Sequence, residues 1–394
     1  MITITDKKDC CGCGGCSSVC PKQGIELKRD NEGFLYPEVD AEKCVECGLC
    51  EKVCPVKLYT PSEPLKEPEA VILQHKDSII CSQSTAGGAF TGIAEYVLDK
   101  GGVVFGVEMN EKHYVHHIAV ESREDLEKFR NSKYVQSDTE NTYAEAKEYL
   151  DSGRLVCYSG TPCQIEGLLR YLRRDYQNLI LVDVVCRAVP SPGIWEKYME
   201  MMEGSEGNIE SVRFRDKTLG NQYSTMEMKS ASGKVMRGGI ESQPWLRMFF
   251  SGMIIRPSCT DCKFRSMHRR SDFTIWDCFN IHSIDKSFDE NAGTTRVLIH
   301  SRKGRELFNE IKDSYIYKEI PLADAVNGVA EMVKSPEAHQ RREEFFADAE
   351  KLGMNELLNK YFPVTFKVRL KKTARIVLNK LGLDRTIKHI LKKG

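Results

Sequence analysis

Eight of the sixteen cysteines fall into two copies of one run. Cys10, Cys13, Cys16 and Cys20 precede Pro21, and Cys44, Cys47, Cys50 and Cys54 precede Pro55. Each copy reads C-x2-C-x2-C-x3-C-P, the spacing in which three close thiolates wrap one [4Fe-4S] cube and the fourth reaches across to the other. By that rule Cys10, Cys13, Cys16 and Cys54 hold one cluster, while Cys44, Cys47, Cys50 and Cys20 hold the second. Paired C-x2-C bites also bind zinc. A doubled run that ends in Cys-Pro is the ferredoxin pattern and rarely a zinc one.

The rest of the chain is organised around that head. Residues 1–57 form the two-cluster ferredoxin domain, with short strands expected at Gly24–Leu27 and Phe34–Pro37. Residues 58–70 carry Pro61, Pro64 and Pro68 and read as a stiff linker. From residue 71 to 340, apolar β-branched runs (Val71–Leu73, Val103–Val107, Leu155–Tyr158, Leu179–Val185) alternate with helical patterns, among them Pro162 to about Arg174 and about Ser191 to Met202. Val212–Arg215 and Met226–Met228 read as antiparallel strands joined through Gly220-Asn221. The fold class expected is therefore mixed α/β. A small α+β ferredoxin domain precedes a larger α/β domain with an antiparallel portion, and residues 341–394 form a helical C-terminal region.

Charge and hydropathy narrow the setting. The net charge is zero, but residues 364–394 hold ten lysines and arginines against Asp384, so that segment carries +9 and residues 1–363 carry −9. Phe366, Leu370, Ala374, Val377, Leu378 and Leu381 recur at helical spacing among those cations, followed by Leu383, Ile387, Ile390 and Leu391. Such a basic amphipathic helix either packs its stripe on the acidic body or lies weakly on an anionic membrane. No run approaches a membrane span, no secretory signal is visible at Met1–Asp6, and reduced thiols point to the cytoplasm. No nucleic-acid partner is expected.

Eight cysteines remain once the two clusters are satisfied, among them Cys11, which sits inside the first run but off its register. Cys259-Thr260-Asp261-Cys262 is a C-x2-C bite open to zinc, a redox disulfide or an iron–sulfur cluster. Cys163 follows a strand, with Pro162 suited to the first position of a helix, where the dipole favours thiolate. Cys186 ends an apolar strand before Pro190-Ser191-Pro192. Neighbouring parallel strands would bring Cys163 and Cys186 together at the carboxyl edge of a sheet. Cys157 reads as core, and no ligand role is assigned to Cys11, Cys81, Cys157 or Cys278.

Gly160-Thr161-Pro162-Cys163-Gln164, the strand-Cys-x3-Pro-Ser-Pro element, the run Cys259 to Phe264, and Asp272–Ile275 resemble the family of β subunits of deazaflavin (coenzyme F-420) hydrogenase and dehydrogenase. The likeness runs from about Ile72 to Ser301, and a fused two-cluster ferredoxin is a known variant. The resemblance implies that Cys163, Cys186, Cys259 and Cys262 ligate a third [4Fe-4S] cluster and that the domain binds FAD. The chain departs from the family in having Arg187-Ala188 after the second ligand, where His-Gly is usual, and Trp276–Asn280 in place of Gly-Asp-Phe-Trp-Gly.

Ser84, Thr85, Gly87, Gly88 and Thr91 precede or open a helix, where amides and hydroxyls either cap it or cradle a phosphate. The glycine pair matches the family's FAD-contacting motif, as does Ser132-Lys133-Tyr134-Val135-Gln136, so the resemblance places Lys133 beside the flavin and Tyr134 against it. His113, His116 and His117 read as ordinary surface histidines. No pattern for hydrolysis appears. The function expected is an iron–sulfur flavoprotein oxidoreductase that exchanges electrons between an organic partner (a small redox substrate or a deazaflavin-like hydride carrier) and ferredoxin-type clusters. The alternative is an electron-relay subunit, wired to ferredoxin or a partner redox enzyme, with no organic substrate of its own.

Overall fold

The computed structural model describes residues 1–61, 67–221, 224–288 and 291–380. Its strands are, in chain order, β1 (Ile25–Arg29), β2 (Leu35–Val39), β3 (Glu69–His75), β4 (Val103–Met109), β5 (Val115–Val120), β6 (Val156–Gly160), β7 (Leu179–Val184), β8 (Ile209–Asp216), β9 (Thr225–Ser230), β10 (Val235–Gly239), β11 (Phe273–Asp277), β12 (Thr295–Ile299) and β13 (Tyr315–Ile320). Eight of them make one sheet in the order β13-β3-β12-β11-β7-β6-β4-β5.

Strands β4, β6, β7 and β11 run parallel, while β12 enters antiparallel between β11 and β3. Strands β13 and β5 close the edges antiparallel. Alternation along each strand fills both faces. Val104, Val182 and Phe273 pack under the helices Ala89–Asp99 and Arg302–Ile311. Phe105, Tyr158 and Leu181 pack under Thr142–Asp151 and Pro162–Leu172. Coverage on both sides explains why β7 reads as an unbroken apolar run. The carboxyl ends of β6, β7 and β11 all fall on one edge, and that edge carries the chemistry.

A second core surrounds the antiparallel sheet β10-β9-β8, the expected pair plus the strand β10. It gathers Trp195, Tyr198 and Trp245 with Phe345 and Leu357 from the helices Arg342–Ala349 and Met354–Tyr361. Phe34 of the N-terminal head is buried in the same core. Strand β3 begins at Glu69, inside the stretch read as linker.

The head is a two-stranded sheet, β1-β2, with the short helices Gly15–Ser18 and Leu49–Lys52. It packs tightly on the body. Glu32 pairs with Arg342, Asn31 Nδ2 donates to Glu350, and Thr139 Oγ1 donates to the Cys13 carbonyl. The C-terminal helix Phe366–Lys380 leaves Phe366, Leu370 and Val377 of its apolar stripe exposed, while Leu378 is half-buried. Arg375 pairs with Glu241 at 2.8 Å. The pattern from Leu383 to Leu391 lies outside the described residues. Among the described residues no helix is long and apolar enough to cross a membrane.

Candidate functional site

Three thiol sets lie in sequence from the tip of the head to the sheet edge. Cys20, Cys44, Cys47 and Cys50 line one cavity at the outer end of the head, beside Met1 and Val45. Cys10, Cys13, Cys16 and Cys54 gather on the inner side, where burial and the neighbouring Cys13, Cys10 and Cys54 push the Cys16 thiol upward. These are the two sets that the crossover rule assigns. The third set, Cys163, Cys186, Cys259 and Cys262, lines a cavity between the head and the sheet edge.

The third set follows from strand order. Strands β6 and β7 are parallel neighbours, so the turns after Gly160 and Val184 lie side by side. Thr161 caps the helix Pro162–Leu172 in a box with Gln164, and its Oγ1 lies 3.2 Å from Cys163 Sγ. A hydrogen bond from Cys11, with help from Thr161, lowers the Cys163 thiol to about 7. Across the cavity, burial pushes Cys259 up to about 12, and burial with Cys259, Cys163 and Cys262 nearby raises Cys186 well above the usual range. Four thiols this close cannot all ionise without a cationic centre to neutralise them. The four thiols wall one cavity, and thiolates are the ligands of iron–sulfur clusters.

The edge is braced by buried charge. Asp183 of β7 accepts from Arg269 Nη1 at 2.9 Å, Thr274 Oγ1 at 2.6 Å and Ser271 Oγ at 3.1 Å. Arg269 also lines the third cavity, so this network fixes the turn that presents Cys186.

The two elements matched to flavin binding come together. Thr85 Oγ1 lies 3.0 Å from Ser132 Oγ. Gly87 sits against the sheet, where a Cβ would fall 2.3 Å from the Leu73 carbonyl oxygen, so the loop needs glycine there. Gly88 takes φ +81° and caps the helix Ala89–Asp99, which buries Thr91. Ser84 Oγ is spent on the Ile80 carbonyl at 2.7 Å. Lys133 is half-buried. Burial lowers its amine to about 7, and that amine donates to the Lys128 and Arg130 carbonyls at 2.6 and 3.0 Å. The Tyr134 ring packs on Phe249 and Phe214 at 5.1 and 5.7 Å, and its hydroxyl accepts from Arg215 at 3.3 Å.

Several residues escaped sequence reasoning. Lys217 donates to the carbonyls of Cys81, Ala86 and Ala292 at 2.6–2.7 Å and pins the glycine loop from outside. Arg215 pairs with Asp277 at the end of β11. Cys11 is buried and lines the third cavity with the four ligand candidates. A thiol one residue off the ferredoxin register, in a loop that docks on the body, was the available signal. Cys157 is core, as read, and Cys81 and Cys278 are buried as well.

The histidines correct the sequence expectation. Alternation along β5 turns His117 inward, where it stacks on Tyr158 at 5.5 Å, and His113 is buried beside Trp195. Only His116 is turned outward, towards Glu108 and Glu140.

Two ferredoxin thiol sets on the head and a third set at a parallel sheet edge define an iron–sulfur electron-transfer protein. Residues 9–58 match the family described as 4Fe-4S dicluster domain, and residues 153–324 match the C terminus of the Coenzyme F420 hydrogenase/dehydrogenase beta subunit. The larger domain is thus similar over residues 153–324 to the C-terminal part of those beta subunits, with a dicluster ferredoxin match ahead of it. A curated relative, the F subunit of F(420)H(2) dehydrogenase from Methanosarcina mazei, is 28% identical over 189 residues. That match covers 45% of this chain and 53% of the relative, so the chain spans about half the length of the curated relative it matches. A chain in a solved structure of the F420-reducing [NiFe] hydrogenase complex from Methanosarcina barkeri aligns with a TM-score of 0.42 and 16% identity, over 78% of this chain and 97% of that one.

Proposed function

We propose that the chain is an FAD-dependent iron–sulfur oxidoreductase with three [4Fe-4S] clusters, and that its organic partner is a hydride carrier of the deazaflavin type. The observation that carries this reading is the third set. Cys163, Cys186, Cys259 and Cys262 wall one cavity, and the ferredoxin head closes it with Cys11 and Val56. Bound in these places, the flavin would take or give an electron pair and the clusters single electrons. The chain's own part is positional. The sheet edge presents Cys163 and Cys186, the turn Pro257–Asp261 presents the C-x2-C bite, and the head presents Cys11 to the same cavity. At the glycine loop, Thr85 and Ser132 would offer their hydroxyls to the flavin's anionic phosphates.

An electron relay with no organic substrate of its own is the second reading. What favours it is that Lys133 and Tyr134 are both engaged internally. The experiment is to mix the anaerobically purified chain with a reduced deazaflavin, after measuring its iron and flavin. About twelve irons and one FAD per chain, with flavin bleaching followed by cluster bleaching, is the expected result. Full cofactor content with no bleaching selects the relay. The exposed stripe Phe366, Leu370 and Val377, set among Lys367, Arg369, Lys371 and Lys372, supports a further element of the proposal, weak association with an anionic membrane surface.

A further inference from the structure

Arg256 lies between the head and the third thiol set, and the flavin and cluster assignments give it no task. Its side chain is fully buried. Nε donates to the Cys10 carbonyl at 2.8 Å, Nη1 to Gln136 Oε1 at 2.9 Å, and Nη2 to the Leu35 carbonyl at 2.9 Å and to Cys10 Sγ at 3.4 Å. The guanidinium carbon lies 4.3 Å from the Tyr36 ring centroid and 5.3 Å from that of Phe34. None of these acceptors is a carboxylate. A buried cation without an anion is strongly unfavourable, and the group at hand to supply the negative charge is the thiolate set of Cys10, Cys13, Cys16 and Cys54.

The approach is built into the backbone on both sides. Gly12, at φ +70°, has no side chain, and a Cβ there would fall 2.7 Å from Arg256 Nη1 and 2.6 Å from Gln136 Nε2. The Arg256 carbonyl accepts from the Cys259 amide at 3.0 Å, and the Arg256 amide donates to the Val189 carbonyl at 3.0 Å. The guanidinium is thus held by the turn that carries Cys259 and aimed at the loop that carries Cys10. The outer set has no equivalent among the described residues. Cys20 and Cys50 accept from the backbone amides of Gly24 and Ile2, both at 3.3 Å, and the lysines at that cavity, Lys22 and Lys43, are exposed and solvent-screened.

We infer that Arg256 is a positioning residue that sets redox potential. It raises the reduction potential of the cluster held by Cys10, Cys13, Cys16 and Cys54 above that of the cluster held by Cys20, Cys44, Cys47 and Cys50. Reduction adds a negative charge to a cluster, and a desolvated cation with a hydrogen bond to a ligand sulfur favours that state. The inner ferredoxin site is then where an electron settles next to the third set, and the outer site is the uphill exit. This inference rests on the three-cluster reading.

The test is a potentiometric titration, followed by electron paramagnetic resonance, of the full anaerobic chain and of Arg256→Gln, Arg256→Lys and Gln136→Glu. A Cys47→Ser chain identifies the outer signal. In Arg256→Gln the oxidised-to-reduced ratio of the inner cluster should rise at least tenfold at fixed potential, which is about 59 mV for a one-electron couple, with the outer cluster unmoved and Arg256→Lys intermediate. Gln136→Glu places a carboxylate beside the retained guanidinium and should lower the inner potential in the same sense. An unmoved inner midpoint in iron-replete variants overturns the inference. So does loss of inner-cluster iron from both Arg256→Gln and Gln136→Glu, since Arg256 would then only hold the loop. Fewer than about twelve irons in the unsubstituted chain would instead count against the cluster reading.

Discussion

Removing Arg342 should open the seam between head and body. Arg342 grips both oxygens of Glu32, at 2.8 and 2.5 Å, and also donates to the Ile255 carbonyl at 3.1 and 2.9 Å. The two side chains are only 10% and 11% exposed. Arg342→Met therefore strands a carboxylate in a nearly dry seam, a loss of about 3–5 kcal/mol for a broken buried pair. About 3 kcal/mol is about a hundredfold in an opening equilibrium, at about 1.4 kcal/mol per decade. The assay is native-state hydrogen exchange over residues 29–36, where the Asp30, Gly33 and Phe34 amides are tied within the turn at 2.9 Å. The same peptide in Glu32→Gln/Arg342→Met should recover most of the protection, because no charge is left unpaired. An acceleration under about threefold in Arg342→Met, or a double variant as fast as the single, would refute the reasoning.

Three other outcomes follow from the same structure. Gly87→Ala forces a methyl against the Leu73 carbonyl and the Thr295 amide at 2.3 and 2.8 Å, so thermal stability should fall by about 1–3 kcal/mol and flavin content with it; unchanged flavin and stability would show that the loop gives way. Burial lowers His117 to about 4 from an ordinary 6.5, so the unfolded chain takes up a proton first as pH falls. Stability should therefore decline from about pH 6.5 towards 4, and His117→Gln should flatten that decline in denaturant melts at about pH 7.5 and 5; an equal slope in both chains rules His117 out as the cause. The full chain should co-sediment with phosphatidylserine vesicles at low salt and release at high salt, whereas a chain ending at Pro363 should not bind; equal, negligible binding by both eliminates the membrane contact.

How much of this was legible depended on the range of the interactions. The ferredoxin ligands lie within eleven-residue runs, and spacing alone assigned Cys54 to the first set and Cys20 to the second. The meeting of Cys163 with Cys186 was also readable, since it needs only that consecutive strands β6 and β7 be parallel neighbours. Joining that pair to Cys259 and Cys262 took a family resemblance, because the turn Pro257–Asp261 reaches the edge by tertiary packing. The insertion of β12 between β3 and β11 pairs Leu73 with Thr295, a contact no local pattern announces. Arg256 looked like any arginine, since its burial depends on Gly12 and Leu35 far upstream. The histidines were misjudged for a related reason. Alternation separated His116 from His117, but only the sheet could say which face is covered.

The central claim is that the third thiol set joins the flavin to the ferredoxin clusters. The direct measurement is stopped-flow reduction of a Cys259→Ser/Cys262→Ser chain by a reduced deazaflavin, beside the unsubstituted chain. The account predicts a loss of about a third of the iron, flavin bleaching at the original rate, and ferredoxin clusters that stay oxidised yet still reduce with a small chemical reductant. Ferredoxin clusters that bleach in step with the flavin in the double variant would contradict it.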